Sequence, residues 1–581
     1  MKTIFSYFSP YKYKMILGLF IKTIGTFSEL LLPLIMAYMI DEVSPTKNLY
    51  SLTFWSILML ICAFGGLVGN VTANRMASKV ARDTTERIRN DLFNKSLSLS
   101  SKQIDQVTIP SLVSRLSNDT YNVHNMIGMM QRIGVRAPIL LLGGIILTFV
   151  VDSFLACVLL LTTPIITLVV VLISKYGTSL YTKLQKANDL LVRKVRDDYT
   201  GIRVIKALSK TKYESESFSE LNKEVLKREK KATLLTAISN PLLNVVLNLG
   251  MCLVIYLGAY RVNNNYIKAG DIIAFTSYFS IVQMAIISIS RIFVMFTKGG
   301  ASCRRIEEIL HLEEDLVKEE KRSKIIDDNF ITFDHVDFQY DNVKALSDVS
   351  FSIKKGESLG IIGATGSGKS TIINLLLRFY DPNNGAIYLN GKNLKEYDYK
   401  ELKSKIGVVF QNDFLMSGTI RENVDFSRNL NSENIVQALK NADAESFVEE
   451  HGGEDSILLT KGSNFSGGQK QRLLIARALA SNPELLILDD SSSALDYKTD
   501  TKLRKTLLNN YPNTTIIMIA QRISSIRFAD HILVLDRGRI VGFGKDEELL
   551  KNCKTYQEIY YSQHQDDLKK ENEGSDSYGE F

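Results

Sequence analysis

The sequence predicts two architectures in series: an α-helical polytopic membrane domain, six spans with long cytoplasmic helical extensions, and then an α/β P-loop domain. Three observations predict this. Every stretch apolar for the roughly 20 residues a bilayer crossing needs falls before residue 300. Beyond it, short apolar runs alternate with charged segments, the pattern of a soluble α/β fold. Within that second half, Gly363-Ala364-Thr365-Gly366-Ser367-Gly368-Lys369-Ser370-Thr371 joins an apolar strand to a helical run. The averages over the 581 residues, 45% hydrophobic and 23% charged, resemble a soluble chain only because they mix these halves. A prior of about 150 residues per domain suggests four domains; the segregation argues for two.

The spans are expected near 15–40, 52–74, 133–152, 154–176, 236–260 and 271–297. Lys2, Lys12 and Lys14 precede the first. The connection 78–132 carries Lys79, Arg82, Arg87, Arg89 and Lys95, and 177–235 carries Lys183, Lys186, Arg193, Lys194, Arg196, Arg203 and Lys206. The connections 41–51, Val151–Ser153 and 261–270 are short. Basic loops stay inside, so both termini and the P-loop domain are expected in the cytoplasm. This topology accounts for most of the net charge of +7, and without an aromatic-interleaved basic patch a nucleic-acid partner is not expected. The two basic connections are helix-permissive and long enough to project roughly 30–40 Å from the bilayer.

Polar residues inside the spans are costly and need partners. Lys22 is expected to snorkel or to face a cavity. Glu29 is read either as a cavity residue or as a partner within the bundle, and Asn244, Asn248 and Arg291 also fall in spans. The five cysteines are scattered without a pairing pattern, as for reduced, buried thiols. The first apolar run is too long for a cleavable leader. A charged stretch, 303–328, joins the halves. The expected boundaries are a membrane domain over 1–310, a linker over 311–328, a P-loop domain over 329–565 and a polar, disordered tail over 566–581.

The P-loop glycines let backbone amides approach phosphates, and the following helix adds its dipole. Lys369 would reach the terminal phosphates and Ser370 would ligate Mg²⁺. Glu484-Leu-Leu-Ile-Leu-Asp489-Asp490 reads as a buried strand ending in a carboxylate, with Asp489 placed to hold the Mg²⁺ shell through water. Phe465-Ser466-Gly467-Gly468-Gln469 opens a second helix and forms a second anion site. Two such sites on one domain invite a second domain that closes over the nucleotide.

This ordered set resembles ATP-binding-cassette exporters of the half-transporter type, over nearly the whole chain to about residue 560. The resemblance implies that Tyr340 stacks on adenine, that Gln411 contacts both Mg²⁺ and the membrane domain, that Asp489 is the Walker B aspartate, and that 465–469 is the signature. It also implies that Ser493-Ala494-Leu495-Asp496 is the D-loop. Ser114–Asp119 and Thr200–Lys206 are similar to the family's intracellular-loop segments, which dock on the nucleotide domain.

Two positions depart from the family pattern. The catalytic carboxylate is usually Glu and here is Asp490; the switch residue is usually His and here is Gln521. Asp withdraws the carboxylate by about 1 Å, a misplacement worth on the order of 100-fold in rate. Gln can donate a hydrogen bond but cannot become cationic. The expectation is a site that binds ATP and Mg²⁺ yet hydrolyses poorly, beside an intact signature that completes a partner's site. The resemblance therefore points to the degenerate half of a heterodimeric, multidrug-type exporter in a cytoplasmic, bacterial membrane. Its cargo would be an amphipathic drug, lipid or peptide. The alternatives are a homodimer with two slow sites and an ATP-gated channel or sensor. A smaller departure is Leu459-Thr460-Lys461-Gly462, where the family often has Gly-Glu-Arg-Gly.

Overall fold

The computed structural model describes residues 2–313, 315–316, 318–319, 329–491 and 494–563. Most of the expected linker, Ser493 and the tail Asp566–Phe581 lie outside the described residues. The chain forms two compact units. One comprises residues up to Ser98 and Val107–Leu312; the other comprises Leu99–Gln106 and the chain from Glu313 onward.

The first unit is all helix. Its main helices are α1 (Lys12–Tyr38), α2 (Leu49–Ser98), α3 (Thr120–Arg132), α4 (Arg136–Val151), α5 (Ser153–Thr200), α6 (Thr211–Asn263) and α7 (Ala269–Leu310). Among the described residues six helical stretches are long and apolar enough to cross a membrane. Helices α2, α5 and α6 run for 50, 48 and 53 residues, far beyond the roughly 20 a bilayer needs, so the expected helical extensions are continuous with the spans. The α1–α2 crossing depends on glycine. A Cβ on Gly69 would lie 3.2 Å from the Gly25 Cα, and one on Gly66 3.4 Å from the Gly25 oxygen, so the backbones meet as small-residue membrane helices do.

Several charged residues inside this unit are paired. Arg136 donates to Glu29 at 2.6 Å, which favours the reading of Glu29 as a bundle partner. Lys22 is 2% exposed and donates to Asn74 at 2.9 Å. Instead of snorkelling, it turns inward because a side-chain amide oxygen on α2 is within its reach. Arg261 pairs with Asp152 at 2.7 Å, and Asp41 accepts from the Gly270 amide at 2.7 Å. Asn244, Asn248 and Arg291 are exposed on this chain.

Residues 114–119 also belong to this helical unit. Asp119, buried, takes a hydrogen bond from Ser302 at 2.8 Å and is gripped through both oxygens by Arg305. Arg115 donates to the Arg305 carbonyl and pairs with Glu308 at 3.2 Å. These bonds tie the start of α3 to the end of α7 within the unit. The part of the same connection that packs into the second unit is Leu99–Gln106. Thr200–Lys206 closes α5 and enters a short helix, Ile202–Ala207, with no buried residue.

The second unit is built on β1 (Ile331–Tyr340), β2 (Val343–Ile353), β3 (Ser358–Gly363), β4 (Asn384–Leu389), β5 (Lys392–Asn393), β6 (Ile406–Val409), β7 (Gly418–Thr419), β8 (Ile457–Leu458), β9 (Leu485–Asp489), β10 (Thr515–Ile519), β11 (His531–Asp536) and β12 (Arg539–Gly544). Strands β2-β1-β4-β5 form an antiparallel sheet, and β7 pairs with β8. The central sheet has the order β12-β11-β3-β10-β9-β6, parallel from β11 to β6. Its inner strands are buried on both faces, which is why β9 reads Leu-Leu-Ile-Leu without alternation. Helices α8 (Lys369–Leu376), α9 (Gly467–Leu479), α10 (Tyr497–Asn510) and α11 (Lys554–Gln563) belong to this unit.

Candidate nucleotide site

In an open parallel sheet, ligands meet the carboxyl ends of the strands. Four neighbouring strands here end in the predicted residues. The P-loop follows β3, Gln521 follows β10 by two residues, Asp489 ends β9 with Asp490 next, and Gln411 follows β6 by two. Because these strands are adjacent in the order β3-β10-β9-β6, residues up to 158 positions apart in sequence share one edge.

The P-loop has the backbone that its composition foretells. Gly366 and Gly368 adopt φ of 81° and 104°, conformations open mainly to glycine. A Cβ on Gly366 would meet nothing within 4 Å, so that turn is exposed to an incoming group. Gly368 caps α8, and Lys369 curls back to donate to the Gly363 and Ala364 carbonyls at 2.8 and 2.9 Å. Burial lowers the Lys369 pKa, opposed by the charges of Asp489 and Asp490. Thr371 is buried, Ser370 and Thr365 are exposed, and Ser367 Oγ is buried with no hydrogen-bond partner. A buried orphan hydroxyl, glycines with left-handed backbones and a basic side chain at a helix start suit a polyphosphate. Asp489 is buried, and burial, then Asp490, pushes its carboxyl up to about 6 against the pull of Lys369. A buried carboxylate facing that penalty is a natural partner for a hard cation, so Ser370 and Asp489 fit Mg²⁺ as a donor set.

The two departing residues meet. Gln521 donates through Nε2 to Asp490 Oδ2 at 3.0 Å, and Gln411 donates to the same oxygen at 3.2 Å. Asp490 lies in the left-handed region, φ 49°, which Asp visits more readily than most residues. Its amide is held by the Ile519 carbonyl at 2.9 Å.

Tyr340 sits at the end of β1, edge-on to Phe338 and Tyr380 with ring centroids 4.8 and 5.2 Å apart, and its hydroxyl accepts from Asn374 at 3.1 Å. It lines a cleft with Lys102, Asp341 and Phe379. The signature forms a helix start as predicted. Ser466 caps α9, accepting from the Gln469 amide at 3.3 Å, while Gln469 accepts from the Ser466 amide at 2.8 Å, a complete capping box. Gly467 and Gly468 open that helix. Phe465 is 5% exposed and packs, tilted, against His451 (4.7 Å) beside Phe447 (6.1 Å), an aromatic cluster that accommodates its larger ring. In the segment 459–462, Lys461 takes φ 58°. Of the D-loop, Asp496 caps α10 by accepting from Thr499.

Sequence reasoning gave the basic connection 78–132 the reach to touch a cytoplasmic domain but did not single out Leu99–Gln106 as a part of this unit. Asp105 accepts from the Tyr380 hydroxyl at 2.5 Å, Gln103 donates to the Glu313 carbonyl at 2.7 Å, and Ser100 donates to Asp315 at 2.8 Å. The available signal was a polar break, Ser100-Ser101-Lys102-Gln103, inside an otherwise helical connection.

The fold and this edge define a membrane-embedded transporter driven by a nucleotide-binding cassette. Residues 15–286 match the family described as the ABC transporter transmembrane region, and residues 346–493 match the ABC transporter family. The chain belongs to the ABC transporter family: it is a half-transporter with six candidate spans fused to one ATP-binding domain. It is 34% identical over 570 residues to the uncharacterized ABC transporter ATP-binding protein YfiB of Bacillus subtilis, covering 97% of this chain and 98% of the relative. It is 31% identical over 567 residues to the putative ABC transporter ATP-binding protein exp8 of Streptococcus pneumoniae, covering 96% of each. A solved bacterial Atm1-family ABC exporter with ATP bound has the same fold, with a TM-score of 0.80 at 22% identity over 95% of this chain and 98% of that one.

Proposed function

We propose that this chain is one half of a heterodimeric exporter in which its own nucleotide site holds ATP and its signature completes the partner's catalytic site. The observation that carries this is the pair Asp490 and Gln521, hydrogen-bonded to one another at 3.0 Å. Lys369, Ser370 and the P-loop amides would bind the phosphates, Ser370 and, through water, Asp489 would hold Mg²⁺, and Tyr340 would stack on adenine. Mg²⁺ would neutralise charge on the phosphate oxygens. Gln411 and Gln521 steady the Asp490 carboxylate, which is one methylene short of the usual reach. At this position a general base must come within hydrogen-bond distance of the attacking water. A loss of order 100-fold corresponds to about 2.7 kcal/mol of barrier, so ATP stays bound through many turnovers at the other site.

The helix start at Ser466 supports the second half of the reading. Its capping box takes up the Ser466 and Gln469 amides and fixes the first turn, leaving the Gly467 and Gly468 amides of α9 for a phosphate supplied by another chain, since a P-loop and a signature of one domain belong to different composite sites. Closure of the two cassettes around ATP would turn the membrane cavity outward, driven by the higher affinity of the closed state for ATP. The basic connections support a cytoplasmic cassette, and the family resemblance suggests an amphipathic cargo: drug, lipid or peptide. The heterodimer is tested by purifying the tagged chain from its own cells. A co-purifying half-transporter with Glu and His at the positions of Asp490 and Gln521 is the expected result. Recovery of this chain only with itself contradicts it.

A further inference from the structure

The loop carrying Gln521 is held from two sides by side chains far away in sequence. From α10, Arg504 donates to the Ser524 and Ser525 carbonyls at 3.0 and 2.5 Å and is itself paired with Asp500. From α11, Gln563 reaches across the same loop. Its Nε2 donates to the Gln521 carbonyl at 2.8 Å, and its Oε1 accepts from the Ile523 amide at 2.9 Å. One carboxamide therefore pairs with backbone groups on both sides of Arg522, as a strand neighbour would. The apolar attachment of α11 is separate from this clamp. Tyr556 is fully buried in a cluster with Ala520, Ile523 and Ile526, and its hydroxyl donates to Asp546 at 2.5 Å.

We propose that Gln563 is a positioning residue for the nucleotide site, acting through Gln521. Gln521 meets Asp490 at 3.0 Å only while its own backbone is held at the right depth. The flanking Ala520 and Ile523 are anchored by burial, but the exposed residues Gln521 and Arg522 between them are not. Gln563 supplies that missing hold and places α11 in control of how firmly ATP is retained. The proposal rests on the reading that Gln521 faces the nucleotide of a slow site.

The test uses the full chain with its co-purified partner in lipid nanodiscs, loaded with radiolabelled Mg-ATP. The readout is the half-life of unhydrolysed ATP, with thermal unfolding followed in parallel. Gln563→Ala should shorten the half-life about threefold, as loss of two partly exposed hydrogen bonds would. Gln563→Glu keeps an acceptor for the Ile523 amide and opposes the Gln521 carbonyl with a charge, so it should be at least as damaging. Both variants should unfold at the temperature of the unaltered complex. In a Gln521→Ala background, Gln563→Ala should have no further effect, because the two act as a unit. An unchanged half-life in both Gln563 variants would overturn the proposal, as would an effect undiminished by Gln521→Ala. If the unaltered complex retains no ATP, the slow-site reading fails and the proposal falls with it.

Discussion

At the scale of single residues, Asp489 sets a pH limit on the site. Its carboxyl, pushed up to about 6 by burial and by Asp490, takes up a proton in the folded chain well before it would in the unfolded one. Falling pH from about 6 towards 4 therefore stabilises the folded apo domain at this residue, and the protonated form has lost its hold on a cation. Mg-dependent ATP affinity should accordingly drop by up to tenfold per pH unit below about 6. Metal-free ATP affinity should not follow, and Asp489→Asn should erase the difference. Fluorescent ATP titrations with and without Mg²⁺ across pH 5–8 check this. Asp490 and Gln521 were legible in sequence as substitutions. Their hydrogen bond to one another, and the arrival of Gln411 on the same oxygen, required the strand order.

At the scale of elements, much was written in local chemistry. The P-loop glycines, the Ser466–Gln469 box and the unalternating β9 each announce a backbone that the structure adopts. What could not be read locally were ties between distant helices. Arg115 and Asp119 stand out by their resemblance to the family's docking segment, and the structure adds what they do within their own unit. Nothing in their neighbourhood reveals that Arg305, almost 190 residues later, takes up Asp119. Lys22 likewise faces inward because Asn74 lies on the opposed helix. The Asp119–Arg305 tie gives a prediction. Asp119→Ala takes the carboxylate from Arg305 and the acceptor from the Ser302 hydroxyl, and should cost about 2 kcal/mol. That is below the range for fully buried pairs, because Arg305 remains half-exposed. Thermal unfolding in detergent should shift down accordingly, while Arg305→Lys, which keeps a charge but loses the two-pronged grip, should fall between.

At the scale of the whole molecule, the segregation of apolar residues located both halves, and the six candidate spans follow it. The chain carries a P-loop and a glycine-led helix start at Ser466, the two components of the nucleotide sandwich proposed above. In a heterodimer with one slow site, the two should differ sharply in their importance to turnover. Gly467→Asp is a clean probe of the signature: a Cβ there meets only Ala494 at 3.8 Å, and an acidic residue suits the first turn of α9, so the domain should fold while repelling phosphate. Asp490→Asn is the matching probe of the chain's own site. The deciding measurement is the steady-state ATPase rate of the natively purified complex carrying each change in this chain alone. The account predicts that Asp490→Asn leaves most of the activity and that Gly467→Asp lowers it about 100-fold or more, the scale of losing a positioned transition-state contact. Equal and severe losses from both would contradict it, and would mean that this chain's own site does the work.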